Sequence, residues 1–129
     1  MDEKHTVSGP NVEELLCPLR HMLDLFGGKW KLPILCILSS GAPTRYSAIK
    51  RKLGDITNVM LAQSLKELES AGIVHREQYN EVPPRVEYTL TEEGISAVPV
   101  LLKNAEWAAA HMARKAVCGV FCDRCQATT

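Results

Sequence analysis

The most reactive side chains in this sequence are its five cysteines, one of which stands near the start of the chain. Cys17 is followed directly by Pro18, and proline favours the first turn of a helix, so a helix is predicted to begin there. The N–H groups of a helix start favour a thiolate, and Arg20 and His21 lie within one turn. We therefore expect Cys17 to react with oxidants or electrophiles; the alternative is a buried structural thiol.

Three further cysteines form a C-x3-C-x2-C cluster near the end of the chain: Cys118, Cys122 and Cys125. His111 precedes the cluster by one to two helical turns, so these side chains could hold zinc or an iron–sulfur cluster. Only one half of a paired C-x2-C signature is present, which favours a loose tail with incidental thiols. No cofactor is predicted.

The sequence does not predict an enzyme. The pair Cys122 and Cys125 lies at the extreme C-terminus, whereas the redox motif of thioredoxin-like oxidoreductases lies near a strand–helix unit. The sequence shows neither a Gly-rich phosphate loop nor the spacing of a catalytic triad.

The distribution of charge suggests a different chemistry, because a net charge of zero conceals a basic segment. Between Gly27 and Gly54 there are six basic residues and no acidic residue, whereas residues 1–26 and 55–129 each carry a net charge of −3. A basic segment of this kind can attract the phosphates of a nucleic acid. The alternative is a solvated helix face.

Side chains in and beside the basic segment predict a surface for double-stranded DNA. We expect phosphate contacts from four basic residues: Arg45, Lys50, Lys52 and Arg85. Thr57 is expected to cap the helix that enters the groove. On this helix, Asn58, Gln63 and Lys66 can hydrogen-bond to base edges, and Val59 can contact a thymine methyl group.

The elements that would position these side chains follow from the pattern of residues 45–91. A helix from Arg45 to Leu53 ends at Gly54-Asp55, and a second helix has an apolar stripe and closes at Gly72; the stripe is Leu61, Leu65 and Leu68. Two β-rich runs then flank Pro83-Pro84, which cannot donate ladder bonds. Helix, turn, helix and hairpin predict a winged helix-turn-helix of the α+β class, mainly helical, with a two-stranded wing.

The residues before this unit predict three short helices. One ends at Cys17, the next runs from Pro18 to Leu25, and Gly27-Gly28 separates it from a third in KWKLPILCILSS. Pro33 fits the third helix only within its first turn. Its expected core positions are Trp30, Ile34, Ile37 and Leu38, with Cys36 buried among apolar neighbours. Thr44 is expected to cap the helix from Arg45.

The longest predicted helix runs from Glu92 to Lys115, with Pro99 expected to kink it. Its apolar residues are spaced alternately by three and four, and Trp107 lies near them: Ile95, Val98, Leu102, Ala105, Ala109 and Met112. About 24 residues would span roughly 36 Å. So long a seam favours a homodimer; the alternative is a helix packed on its own domain.

Composition bounds the rest. A chain of 129 residues with 46% hydrophobic and 23% charged residues predicts one globular domain. We divide it into an N-terminus without predicted order (1–10), a winged-helix domain with dimerisation helices (11–115) and a Cys-rich tail (116–129). No membrane span and no signal core is visible, so the cytoplasm is the expected location.

Three motifs resemble one family. Cys17-Pro18, the GGKW run of 27–30 and the EVPPRVEYTLTEEG run of 81–94 are similar to those of HxlR-type regulators, winged-helix dimers related to the MarR regulators. The resemblance implies a cytoplasmic homodimer that binds an operator. It also implies a sensor of thiol-reactive compounds or aldehydes at Cys17. Ala62 stands where the family usually has threonine, and the C-terminal cysteine cluster is not part of the family pattern.

Two other functions remain open. One is a winged-helix regulator that senses a metal or cluster through the C-terminal cysteines. The other is a winged-helix module that binds protein rather than DNA, which the basic segment beside the predicted recognition helix argues against.

Overall fold

The computed structural model describes residues 11–115, which form five helices and a three-stranded antiparallel sheet of order β1-β3-β2. The α+β winged-helix prediction is confirmed. In chain order the elements are α1 (Val12–Phe26), α2 (Lys31–Leu38), β1 (Thr44–Arg45), α3 (Tyr46–Leu53), α4 (Asn58–Ser70), β2 (Val74–Tyr79), β3 (Arg85–Leu90) and α5 (Glu92–Lys115). Among these residues, no helix is long and apolar enough to cross a bilayer.

The third strand was not predicted. Thr44 pairs with Tyr88, and Arg45 pairs with Glu87, which adds β1 to the outer edge of β3. Thr44 is therefore not the helix cap that the sequence suggested, and its hydroxyl donates to the Ala42 carbonyl at 3.0 Å. A strand of two residues is too short to show the alternation by which strands are predicted.

The first helix is continuous, so the predicted break at Cys17 was wrong. α1 contains Pro18 in its interior. Its start is set upstream, where the Asn11 side chain accepts a hydrogen bond from the Glu14 amide at 3.0 Å and acidic residues occupy the first turn. A proline inside a helix removes one N–H donor and crowds the carbonyl four residues before it, but α1 continues through Pro18.

The core lies between the helices and the inner face of the sheet. Its fully buried side chains are Ile34, Leu35, Leu38, Ile49, Leu61, Leu65, Leu68 and Val74. Pro33 lies in the first turn of α2, as predicted, but Cys36 is exposed and not buried. α2 is apolar on almost every side, so its periodicity could not show which side faces inward; Leu35 was missed for the same reason.

A single side chain joins the end of α4 to the start of α5. The Thr91 hydroxyl donates to the Gly72 carbonyl at 2.6 Å, lies 3.1 Å from the Ile73 carbonyl and accepts from the Gly94 amide at 3.1 Å. Gly94 packs so closely against the Ile73 carbonyl that a Cβ would collide with it. Gly72, with φ of 80°, provides the left-handed turn that the sequence predicted.

Candidate DNA-binding interface

The turn between α3 and α4 is held by side chains on both sides of it. Thr57 caps α4, as predicted, by accepting a hydrogen bond from the Met60 amide at 3.1 Å. From α3, the Tyr46 hydroxyl donates to the Asn58 carbonyl at 3.1 Å, and Lys50 Nζ donates to the Ile56 carbonyl at 3.1 Å. The first turn of α4 is therefore fixed relative to α3.

Partial burial changes the acidity of the tyrosine in this turn. Desolvation raises the pKa of Tyr46 above its usual value, and the nearby Tyr88 raises it further. A phenol is protonated at neutral pH even at the ordinary pKa of 10.0, and the upward shift extends the pH range of this form, which donates to Asn58.

The outer face of α4 is open to solvent. On its inner face Leu61, Leu65 and Leu68 are buried, as their spacing predicted, and Ser64 is buried with them. Val59 is 73% exposed, and the other three predicted base contacts, Asn58, Gln63 and Lys66, are exposed as well. This arrangement presents these side chains on the outside of the recognition helix of a helix-turn-helix.

Gln63 is held by an ion pair that joins α2 to α4. Lys31 Nζ lies 2.8 Å from Glu67 Oε1, and its side chain is only 13% exposed. Gln63 Nε2 donates to the other oxygen, Glu67 Oε2, at 3.1 Å. The hydrogen bond from Lys31 lowers the pKa of Glu67 most, followed by the hydrogen bond from Gln63. Lys31 is thus paired with a carboxylate, although the sequence counted it in the basic segment.

The positive charge beside the turn comes mainly from the last turn of α3, which contains Lys50, Arg51 and Lys52. Arg51 and Lys52 are exposed, as is Arg45 on β1, whereas Lys50 is half-buried. Arg51 was not singled out from the sequence, although it lies within the same basic run. Cations at a helix C-terminus also interact favourably with the helix dipole, so these residues contribute to α3 itself.

The wing is the β2–β3 hairpin, with Val82 fully exposed near its tip. Arg85, in the strand pair next to the hairpin loop, is occupied within the protein: its guanidinium lies 4.1 Å from the Tyr79 ring centre, 3.1 Å from Glu81 and 3.5 Å from Glu87. The phosphate contact predicted for Arg85 stays a prediction, and it would require the guanidinium to exchange these partners. The exposed Arg76 on β2, which was not singled out from the sequence, lies beside α4.

A shallow groove of about 250 Å³ separates α4 from the sheet. Lys66 and Arg76 line it together with Glu69 and the rings of Tyr46 and Tyr88. Residues 75–78 of β2 are all exposed, although Arg76 stands two residues after the buried Val74, so alternation along this strand gave no signal by which sequence reasoning could have found Arg76.

Cys17 is exposed on α1, which agrees with an accessible thiol. It lies in the second turn and not at the helix start, because α1 begins at Val12. The unpaired N–H groups of the first turn are therefore not beside its thiol, and that part of the prediction was wrong.

The predicted metal site is only partly described. His111 stacks on Trp107, with ring centres 5.3 Å apart. Within residues 11–115, no group of three or more potential ligands is close enough to hold a metal ion. Cys118, Cys122 and Cys125 lie outside the described residues.

An apolar stripe on α1 faces solvent. Its residues follow spacings of four, three and four, and their exposed fractions are 58%, 53%, 52% and 63% for Val12, Leu16, Leu19 and Leu23. This stripe is not evident from the sequence when the segment is divided into two helices at Pro18, because its spacing runs across the division. Soluble monomers rarely expose so regular an apolar surface.

The predicted seam of α5 divides between two environments. Val98 packs against the core beside Ala97 and Leu101. Ile95 and Leu102 are 55% and 57% exposed, and Ala105 and Ala109 are exposed, while Met112 is half-buried. Trp107 follows Leu102 by five residues, which places it about 140° around the helix. It therefore shares a flank with the exposed Val100.

These elements define a winged helix-turn-helix protein with an open recognition helix. A family model described as HxlR-like helix-turn-helix matches residues 25–116. The chain belongs to the HxlR family of transcriptional regulators, which confirms the resemblance seen in its sequence and places it among DNA-binding regulators rather than enzymes.

Similar proteins are known from sequence and from structure. An uncharacterised HTH-type transcriptional regulator of Methanothermobacter thermautotrophicus is 48% identical over 95 residues, which cover 74% of this chain and 72% of the relative. The redox regulator HypR in its oxidised form is 42% identical, with a TM-score of 0.69 over 73% of this chain and 96% of that chain. Diamide-treated YodB from Bacillus subtilis is 33% identical, with a TM-score of 0.61 over 72% of this chain and 91% of that chain.

Proposed function

We propose that this regulator is a homodimer whose binding to an operator is controlled by modification of Cys17. The observation that carries the proposal is the solvent-exposed apolar stripe of α1, because the same helix bears the exposed thiol. Cys17 follows Val12 by five residues, which places it about 140° around α1 from the stripe, so a change at that thiol would act on the helix whose other flank a second subunit covers. A regulator of this kind acts on the chromosome, so we place it in the cytoplasm of its host.

Burial of apolar surface supports the dimer. Each leucine of the α1 stripe exposes more than half of its surface, and Ile95 and Leu102 on α5 do the same. Removing a large apolar side chain from water contributes about 1.5–3 kcal/mol when burial is complete. Two copies of these helices packed together would bury most of this surface, and the twofold axis would place two recognition helices on one face of the dimer.

The exposed face of α4 supports binding in the major groove. Asn58, Val59, Gln63 and Lys66 present donors, an acceptor and an apolar side chain in one solvent-facing set. Arg45 and Lys52 flank the turn and have the exposure that phosphate contacts require. We assign base contacts to the first group and phosphate contacts to the second.

The switch is supported by the exposure of the Cys17 thiol and by the relatives. HypR has been solved in oxidised and reduced forms, and YodB after treatment with diamide. In this chain, a disulfide between Cys17 and a thiol of a second subunit would form with loss of two electrons and two protons to the oxidant. Such a link would constrain how two α1 helices pack, and thereby the separation of the recognition helices.

The proposed function is tested with the full chain in three measurements. Light scattering should give the mass of a dimer. Rounds of selection from a random duplex library should enrich a motif with two related half-sites about one helical turn apart. Binding to random duplex should weaken steeply with salt, with log K linear in log salt concentration. A monomer, or a chain that enriches no motif, would contradict the proposal.

A further inference from the structure

Both oxygens of the Glu67 carboxylate are engaged on the side of α4 that faces α2. Oε1 pairs with Lys31 Nζ at 2.8 Å, and Oε2 accepts from Gln63 Nε2 at 3.1 Å. Lys31 is the first residue of α2, and its side chain is largely buried. The carboxylate therefore has a fixed partner on the body of the domain and a second partner on the outer face of the recognition helix.

Chemistry determines which way the Gln63 amide points. An ionised carboxylate can only accept hydrogen bonds, and an ammonium group can only donate them. Lys31 lowers the pKa of Glu67 and so favours its ionised form, and only the nitrogen end of the amide is satisfied beside it. With the carbonyl end there instead, two acceptors would face each other. The carbonyl oxygen, Gln63 Oε1, is thereby turned away from Glu67 and toward an outside donor.

This orientation selects among bases. A primary amide has two N–H groups, and only one of them can point at Glu67. The carbonyl and the second N–H together match the amino group and N7 of adenine in the major groove. The reversed amide would instead present donors to guanine or thymine acceptors. We propose that Lys31 and Glu67 are positioning residues that hold Gln63 in the orientation that recognises adenine.

The inference rests on the proposed function, because Gln63 must first lie in a DNA groove. It goes further by assigning a base preference to one side chain and by attributing that preference to two residues that do not touch DNA. Without the carboxylate, the amide could rotate and satisfy different bases equally well, so the preference would disappear while the helix remained in place.

The test compares motifs selected from a random duplex library by wild type and five variants: Gln63→Ala, Glu67→Ala, Lys31→Met, Glu69→Ala and Lys66→Ala. Glu69→Ala is the matched control for charge, because it removes a carboxylate from the same helix and faces the groove toward the sheet. Lys31→Met keeps a long, largely buried stem and removes only the ammonium group. Melting temperatures of all variants verify folding.

We expect wild type to prefer adenine by roughly tenfold at one position of each half-site, as a bidentate contact provides. Gln63→Ala, Glu67→Ala and Lys31→Met should lose that preference at that position and retain the others. Glu69→Ala should keep it, and Lys66→Ala should alter a different position. Replacing the adenine by 7-deazaadenine should weaken wild type several-fold and leave Glu67→Ala unchanged.

Two results separate the inference from the proposed function. If wild type enriches a motif and Glu67→Ala keeps the adenine preference as Glu69→Ala does, the positioning role is overturned and DNA binding stands. A Gln63→Ala variant that keeps every adenine preference overturns the inference in the same way. If wild type enriches no motif, the proposed function fails and the inference falls with it.

Discussion

The phenol of Tyr46 donates a hydrogen bond to the backbone carbonyl of Asn58 at 3.1 Å, and so joins the first turn of α3 to the first turn of α4. Lys50, one turn further along α3, holds the Ile56 carbonyl on the other side of the Thr57 cap. The angle between the two helices therefore depends on side chains that sequence reasoning either omitted or assigned to DNA.

Tyr46→Phe removes the hydrogen bond and leaves the ring in place. We expect the free energy of unfolding to fall by about 1 kcal/mol and specific DNA binding to weaken, because the first turn of α4 loses a support. Urea denaturation and titration with the selected operator measure these effects. Tyr79→Phe, which makes the same chemical change in the wing, should leave both quantities nearly unchanged.

Tyr46 also predicts a pH dependence. Its pKa in the folded protein is raised above 10.0, mainly by burial, so the unfolded chain ionises first as pH rises. The stability that this group contributes should therefore be fully present below about pH 10 and decline above it, and the decline should be smaller in Tyr46→Phe. Denaturant midpoints on both sides of that pH measure it; identical slopes for the two proteins would exclude this contribution.

Lys50 and Lys52 should behave differently although both were expected to contact phosphate. Lys50→Met removes the hydrogen bond to the Ile56 carbonyl and should reduce stability by about 1 kcal/mol. Lys52→Met should reduce stability less than Lys50→Met, because it loses only the interaction with the helix dipole, and it should make the slope of log K against log salt less steep by about 0.9 for each phosphate that is no longer neutralised. Equal effects of the two substitutions on stability would contradict this division.

Arg85 should stabilise the wing. Arg85→Met leaves Glu87 opposite Glu77 in the β2–β3 ladder without the nearby guanidinium, and like charges opposite each other destabilise a sheet. We expect the free energy of unfolding to fall by about 1 kcal/mol. Arg76→Met makes the same change on the neighbouring strand at an exposed position, and should affect DNA binding more than stability.

A single glutamate substitution on each flank of α5 can show which flank forms the dimer interface. Leu102→Glu, like Leu19→Glu on α1, should convert the proposed dimer into a monomer and weaken operator binding, because a carboxylate would have to be buried in the interface. Val100→Glu has a similar exposure on the opposite flank and should remain dimeric. Light scattering across a dilution series decides; dissociation of Val100→Glu alone would assign the interface to the flank with Trp107.

Cys17→Ser should make operator binding insensitive to diamide. Cys36→Ser is the matched control, because Cys36 is the other exposed thiol among residues 11–115. Wild type and Cys36→Ser should change affinity on treatment and recover with dithiothreitol. If Cys17→Ser responds as wild type does, the sensing thiol lies elsewhere, and Cys118, Cys122 and Cys125 should be replaced next.

Local patterns were sufficient for most of the winged domain. The leucine spacing of α4, the Thr57 cap, the Gly72 turn and the alternation in β3 each have a short-range cause, and each was confirmed. The failures depended on longer-range information. The pairing of β1 with β3 and the outward position of Cys36 depend on packing that one segment does not encode.

The same limit applied to the candidate interface. Sequence spacing correctly placed Gln63 and Lys66 on the outer face of α4, but it could not show that Lys31 reaches Glu67 across two helices. Nor could it show that Arg85 is enclosed by Glu81, Glu87 and the Tyr79 ring. Counting charges along the chain predicted a positively charged surface beside the turn. The tertiary contacts determine which of its basic side chains remain exposed.

The Thr91 side chain joins the end of α4 to the first turn of α5 directly, because its hydroxyl donates to the Gly72 carbonyl and accepts from the Gly94 amide. In a dimer built on α5, this junction would make each recognition helix turn as one body with the helix at the twofold axis. Such a dimer would have little freedom to follow half-sites that are rotated about the DNA axis. One inserted base pair rotates a half-site by about 35°, so operator spacing would be as strict a requirement as operator sequence.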